Sequence, residues 1–301
     1  MRALINQYRR WGIPGFVVAA GLFTFALVVA AVFAPFVAPF DPTNISTFNL
    51  TDAETPPIFA DGGDSRFVLG TDNQGRDLLS AIIYGTRISL VIGTGAVIFA
   101  AVVGVTLGLV AGFFGRWIDS VIMRVADVIL SFPTIFLALL ISGLARALLP
   151  NASTPVWASI ILISAIGIHD WVQYARTVRA STMVEATKDY IRAVRVIGLP
   201  PRLIILRHIL PNVMVPVIVI ATVNLATAML TEATLSFLGV GMPPTYPSLG
   251  TLIRIGNEFM FSGAWWIALF PAFTLVLLIL LLNVVGDYLR DRFNPKLRIR
   301  I

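Results

Sequence analysis

Residues that could do chemistry are few in this 301-residue chain, and they do not converge. The two histidines, His169 and His208, lie far apart with no carboxylates at ligand spacing, so they support no metal site. Cysteine is absent, which removes disulfides, thiolate metal sites and a cysteine nucleophile and leaves the redox compartment open. There is no G-x-x-x-x-G-K-[ST] loop and no G-x-G-x-x-G turn to cradle a phosphate. Neither H-E-x-x-H nor a serine paired with a base is recognisable. The chain is therefore expected to have no catalytic residue and to bind no cofactor or metal itself. Glu232 is the one acid well inside an apolar stretch. It either faces a path and selects cationic groups, or pairs locally or snorkels outward, which its shallow depth favours. Asp127 and Asp287 lie near stretch ends, where helical proximity favours pairing with Arg124 and Arg290.

The setting for these residues is a membrane. Apolar residues make up 57% of the chain, charged residues 13%, and the mean hydropathy is +0.87, a mix outside that of soluble domains. About 20 apolar residues cross a bilayer as a helix. Six stretches qualify, roughly 15–39, 88–114, 121–145, 155–172, 213–238 and 264–286, giving an all-α fold of six transmembrane helices. The first follows Arg9 and Arg10 like a secretory signal, but its run is too long and lacks a small-x-small cleavage site, so it reads as a retained anchor. The chain divides into an N-terminal tail 1–14, a transmembrane domain 15–286 with polar loops 40–87, 173–212 and 239–263, and a C-terminal tail 287–301.

Charge sets the orientation. With both termini in the cytoplasm, 17 Lys and Arg residues fall on that side and five on the other: Arg66, Arg76, Arg87, Arg146 and Arg254. Basic excess marks the cytoplasmic face, so loop 173–212 is expected there. The net charge of +6 thus reflects topology rather than nucleic acid.

That loop has a pattern of its own. Thr182 and Glu185 have capping-box spacing, and Met183, Ala186, Tyr190, Val194 and Ile197 recur at helical intervals, with Lys188, Arg192 and Arg195 on another face. Gly198 suits the left-handed residue that ends a helix, and Pro200 and Pro201 suit the first turn of another running to Pro211. Two short helices meeting at a glycine elbow are predicted, as a docking element; the competing reading is a basic loop near anionic headgroups.

Ala193, Gly198, Leu210 and Pro211 fall on the A, G and L-P positions of E-A-A-x3-G-x9-I-x-L-P. Arg192, Val194 and His208 depart from its Glu, second Ala and Ile. Four further blocks follow in order: FVLGTDNQGRDLLS at 67–80, YGTRISL at 84–90, ATLSFLGVGMPPTYPSLGT at 233–251 and NVVGDYLRDRFNPKL at 283–297. On these residues the chain resembles the inner-membrane permease subunits of bacterial ABC importers of the dipeptide, oligopeptide and nickel family, the second, shorter subunit type. The resemblance implies a type I importer fold and a role as half of a translocation path for peptides; nickel, opines or another small solute remain alternatives within the family. It implies a bacterial inner-membrane location and three kinds of partner besides lipid: a homologous permease, two cytoplasmic ATPases carrying ATP and Mg, and an extracytoplasmic binding protein. The coupling loop would carry the contact to the ATPases through Glu185, Arg192, Ala193, Gly198, Pro200, His208, Leu210 and Pro211.

In the second stretch Ala100, Gly104, Gly108 and Gly112 recur every four residues, giving a face of nearly bare backbone for close helix packing. The helix it meets belongs either to the partner permease or to this chain. Asp77–Ile83 reads as the start of an interfacial helix. This region and segment 239–263 either receive the binding protein or cap the outer mouth. An ion-coupled transporter would need buried carboxylates and broken helices, and an intramembrane enzyme a catalytic constellation; neither pattern is present.

Overall fold

The computed structural model describes residues 14–44, 48–149 and 154–293. The tail 1–13 and the end of the C-terminal block, 294–301, lie outside the described residues. Long apolar runs become helices because only a helix satisfies its own backbone inside lipid, and among the described residues no strand forms. The helices of eight residues or more are α1 Gly15–Val32, α2 Leu78–Phe114, α3 Arg116–Leu130, α4 Thr134–Leu148, α5 Pro155–Ala186, α6 Asp189–Val196, α7 Leu210–Phe237, α8 Leu249–Phe259 and α9 Trp266–Phe293.

Five helical stretches are long and apolar enough to cross a membrane: α1, α2, α5, the stretch Pro201–Phe237 that contains α7, and α9. The expected third span, 121–145, is not one straight helix. It is divided between α3 and α4, which meet at 93°. Pro133 stands immediately before α4; its ring denies an amide to the preceding turn and pushes Phe132 out of helical geometry. The expected interfacial helix at Asp77–Ile83 is corrected as well, since Leu78 already begins α2. Asp77 caps it, accepting from the Ser80 amide at 2.8 Å.

The most extensive helix pair is α2 with α5, and the small-residue face explains it. A Cβ built on Gly104 would lie 2.4 Å from the Trp171 carbonyl oxygen, one on Gly108 2.6 Å from that of Ala175, and one on Gly112 2.7 Å from that of Arg179. Backbones approach this closely only where side chains are missing. Ala100 is fully buried among Trp171, Tyr174 and Ala175 in one core cluster. The stripe therefore packs within the chain. The same cluster includes Ile191 of α6 and Ile204, Ile209 and Val213 around the start of α7, so the loop between α5 and α7 is continuous with the core.

Candidate functional site: the elbow between α5 and α7

Helix α5 runs unbroken through Thr182 to Ala186, so Thr182–Glu185 is not the capping box expected at a new helix. Thr182 is buried against Gly112 of α2. The break falls at Thr187 and Lys188, and Lys188 precedes α6 without a capping side chain.

Glu185 joins the three helices. Its Oε1 accepts hydrogen bonds from the Tyr190 hydroxyl of α6 and, at 3.1 Å, from Asn212 Nδ2 of α7. Its Oε2 pairs with Lys188 Nζ at 2.7 Å. Asn212 Nδ2 also reaches the Tyr190 hydroxyl at 3.0 Å and the His208 carbonyl at 2.8 Å. A buried carboxylate needs such partners to offset its desolvation. Burial, the bond donated to Glu185 and that carboxylate's charge push the Tyr190 phenol above its ordinary range.

Gly198 closes α6. Its φ is +87°, a left-handed value that costs glycine little. The Gly198 amide donates to the Arg195 carbonyl at 3.0 Å and the Leu199 amide to the Val194 carbonyl at 3.2 Å, the paired bonds of a Schellman motif. Pro200 then leads into a helical turn at Pro201–Leu203 and a π-helical turn at Ile204–Ile209. The second short helix expected to stop at Pro211 instead continues through Leu210 and Pro211 into α7; proline at the first positions of α7 needs no amide partner there. His208 lies in the π turn with its Nδ1 buried and unpartnered among the described residues.

The result is a braced projection. Ile191 is the inward anchor, fully buried, while Val196 and Ile197 at the tip are 88% and 76% exposed. Arg192, beside Asp189 at 3.6 Å, and Ala193 are also exposed. Val196 and Ile197 thus form an exposed apolar pair beside the exposed Arg192 and Arg195. Tyr190 belongs to the helical-interval set, but its bond to Glu185, the Asn212 bond to the same carboxylate and the burial of Ile191 are tertiary and leave no signal in the spacing.

The remaining site residues lie elsewhere. Glu232 is fully buried, accepting from Ser89 Oγ at 2.8 Å and Ser236 Oγ at 2.7 Å. It joins α2 to α7 and exposes no surface to a path, in line with local pairing. Asp127 pairs with Arg176 of α5 at 2.6 Å, not with Arg124 as helical proximity suggested, because α3 folds back along α5. Asp287 is exposed, with no ion pair to Arg290 among the described residues. At the opposite end of the helices, the fully buried pair Asp72–Arg76 (2.6 Å) and the 2.7 Å bond from Arg76 Nη1 to the Pro244 carbonyl tie the 67–80 block to the 233–251 block.

Residues 104–299 match the family described as binding-protein-dependent transport system inner membrane component. The di/tripeptide transport system permease protein DppC of Pseudomonas aeruginosa is 39% identical, covering 92% of this chain and 87% of that protein. The glutathione transport system permease protein GsiD of Pectobacterium atrosepticum is 34% identical over 93% of this chain and 87% of its own length. Among solved structures, an inward-facing MetNI methionine ABC transporter chain aligns with a TM-score of 0.56 and 19% identity, covering 72% of this chain and 98% of that one, a likeness of fold. The chain belongs to the binding-protein-dependent transport system inner membrane components, multi-pass proteins of ABC importers.

Proposed function

We propose that this chain is the permease subunit of an ATP-driven importer of short peptides, and that the knob at α6 seats in a cleft of an ATPase subunit. One observation carries the reading: a projection with an exposed apolar tip, Val196 and Ile197, rigidly tied through Glu185 and Asn212 to two long membrane helices. Such a knob can turn closure of nucleotide-bound ATPases into rocking of packed helices. Relatives named for di/tripeptides and glutathione support peptides as cargo. In this reading both termini are cytoplasmic, a second homologous permease completes the path, a binding protein delivers the peptide, and ATP with Mg binds the two ATPase subunits.

The test is reconstitution in vesicles with the partner permease, the ATPases and the binding protein. Hydrolysis stimulated by dipeptide-loaded binding protein, lost when Val196 and Ile197 are both changed to Asp, supports the reading. Robust hydrolysis by the purified chain alone overturns it.

A further inference from the structure

The α3–α4 bend opens a cavity of about 370 Å³ against α5, lined by Leu130, His169, Asp170, Gln173, Arg176 and Thr177 among others. That volume is within the range of small-molecule sites. His169, Gln173 and Arg176 recur at four- and three-residue spacing on one helix face, with Asp170 and Thr177 beside them. Arg176 lies about 31 Å along α5 from Pro155 at 1.5 Å per residue, so the cluster occupies the half of the span nearer the knob. His169 and Asp170 lie inside the apolar stretch 155–172, where ionisable groups are costly and mark substrate routes or water-filled cavities, and Arg176 stands at its end nearer the knob, its side chain half-exposed.

The charges are of both signs and incompletely used. Arg176 engages Asp127 through Nη2 alone, in a half-exposed pair of 2.6 Å. Its other guanidinium nitrogens have no protein partner among the described residues, although the group carries five donor hydrogens. Asp170 Oδ1 lies 3.0 Å from His169 Nδ1, and the ring's Nε2 lies 3.1 Å from Thr134 Oγ1 at the start of α4. Asp170 Oδ2 is free among the described residues. Asp170 and Arg176 both line the cavity, about 9 Å apart along the α5 axis and turned about 120° from each other around it, so the long guanidinium arm has to reach across the cavity for a peptide of two to three residues, roughly 7 to 11 Å when extended, to meet both groups.

We infer that this cavity holds a short zwitterionic peptide in transit, Asp170 receiving its ammonium group and Arg176 its carboxylate. The inference rests on the importer reading and adds a site to it. A ligand carboxylate would take the guanidinium fork bidentately, displacing or joining Asp127, whose half-exposed pair is weak enough to exchange. The His169–Thr134 contact orients Asp170 from the side of the bend.

The natural absence of cysteine makes Gln173→Cys the only thiol in this chain. In the assembled complex, without binding protein, its modification by N-ethylmaleimide is followed by mass of this subunit. Dialanine at twice its dissociation constant should slow the reaction about threefold, while N-acetyl-dialanine amide, which lacks both charges, should not. Asp170→Asn and Arg176→Gln should each abolish the protection. The site is overturned if the end-blocked peptide protects equally, if dialanine gives no protection, if protection survives both charge variants, or if the thiol is inert because another subunit covers it. Stimulation of hydrolysis by loaded binding protein in the same preparation separates the two readings: present without protection, only the site falls; absent, the importer assignment falls with it.

Discussion

Glu185 and Asn212 are 27 residues apart in sequence, and a 3.1 Å hydrogen bond between them fixes the end of α5 to the start of α7. Tyr190 of α6 bonds to both, so one carboxylate sets the angle at which the knob leaves the membrane helices. Hydrogen bonds to charged groups contribute about 1.5–3 kcal/mol each. Glu185→Ala should therefore loosen the elbow and reduce stimulated hydrolysis several-fold. Asn212→Ala should do somewhat less, and the double variant less than the sum because the partners are shared. Additive losses would show that the two residues act apart.

Tyr190 makes the same network visible by titration. Burial, the bond to Glu185 and its charge raise the phenol. A raised acid stabilises the fold fully below its unfolded value, about 10, and that contribution is lost as pH rises through the folded value. The knob should thus hold across neutral pH and loosen only in strong alkali. The ultraviolet titration difference between the natural chain and Tyr190→Phe should place this phenol above about 10, and Glu185→Gln should bring it down. A Tyr190 that ionises in the ordinary range in both backgrounds contradicts the bond.

How much of this was legible in sequence depends on the range of the interaction. Gly198 was readable because a left-handed terminus is a local demand, and the apolar spans because lipid imposes length and composition along the chain. The T-x-x-E spacing at Thr182 misled because packing on Gly112 of α2 keeps α5 helical past a local start signal. Pro211 suggested a stop, yet proline in a first turn is compatible with the long helix that begins there. Asp127 found Arg176 across helices, a choice made by the α3–α4 bend that no spacing encodes. The stripe at Ala100, Gly104, Gly108 and Gly112 announced close packing, but only the fold identifies α5 as the neighbour.

That packing gives a stability test. Gly108→Leu must place a branched side chain where even a Cβ would lie 2.6 Å from the Ala175 carbonyl. Overpacking of this kind costs typically about 1–3 kcal/mol and more when backbone must move. The variant should aggregate at lower temperature in fluorescence-detected size exclusion, whereas Gly21→Ala in α1, with nothing within 4 Å of the added Cβ, should match the natural chain. Equal thermal behaviour of the two variants would mean that α2 and α5 are not in contact at this register.

Orientation is open to thiol labelling. Cysteines at the exposed positions Gln74 and Arg202 sit in loops assigned to opposite faces by basic-residue excess. In intact cells an impermeant maleimide should label Gln74→Cys only, and Arg202→Cys should react after permeabilisation. Labelling of both from outside would reverse the assignment of the knob to the cytoplasm.

The elbow itself gives the sharpest prediction, because its demand is conformational alone. No atom lies within 4 Å of a Cβ built on Gly198, so substitution there causes no clash. The φ of +87° is strained for L-residues, by about 1–2 kcal/mol in the left-handed region and most for a β-branched side chain. Gly198→Val should relieve that strain by rotating the backbone, breaking the paired bonds from Gly198 and Leu199 and redirecting the turn at Pro201. Gly198→Asn, the residue that best tolerates this conformation after glycine, should keep most of the geometry. With subunit levels equal, dipeptide uptake and stimulated hydrolysis should fall strongly for Val and mildly for Asn. Because both variants leave the exposed tip and its charges in place, that order separates loss of direction from loss of surface. If Val and Asn behave alike at the natural rate, the left-handed turn does not aim the knob, and coupling must run through another part of the chain.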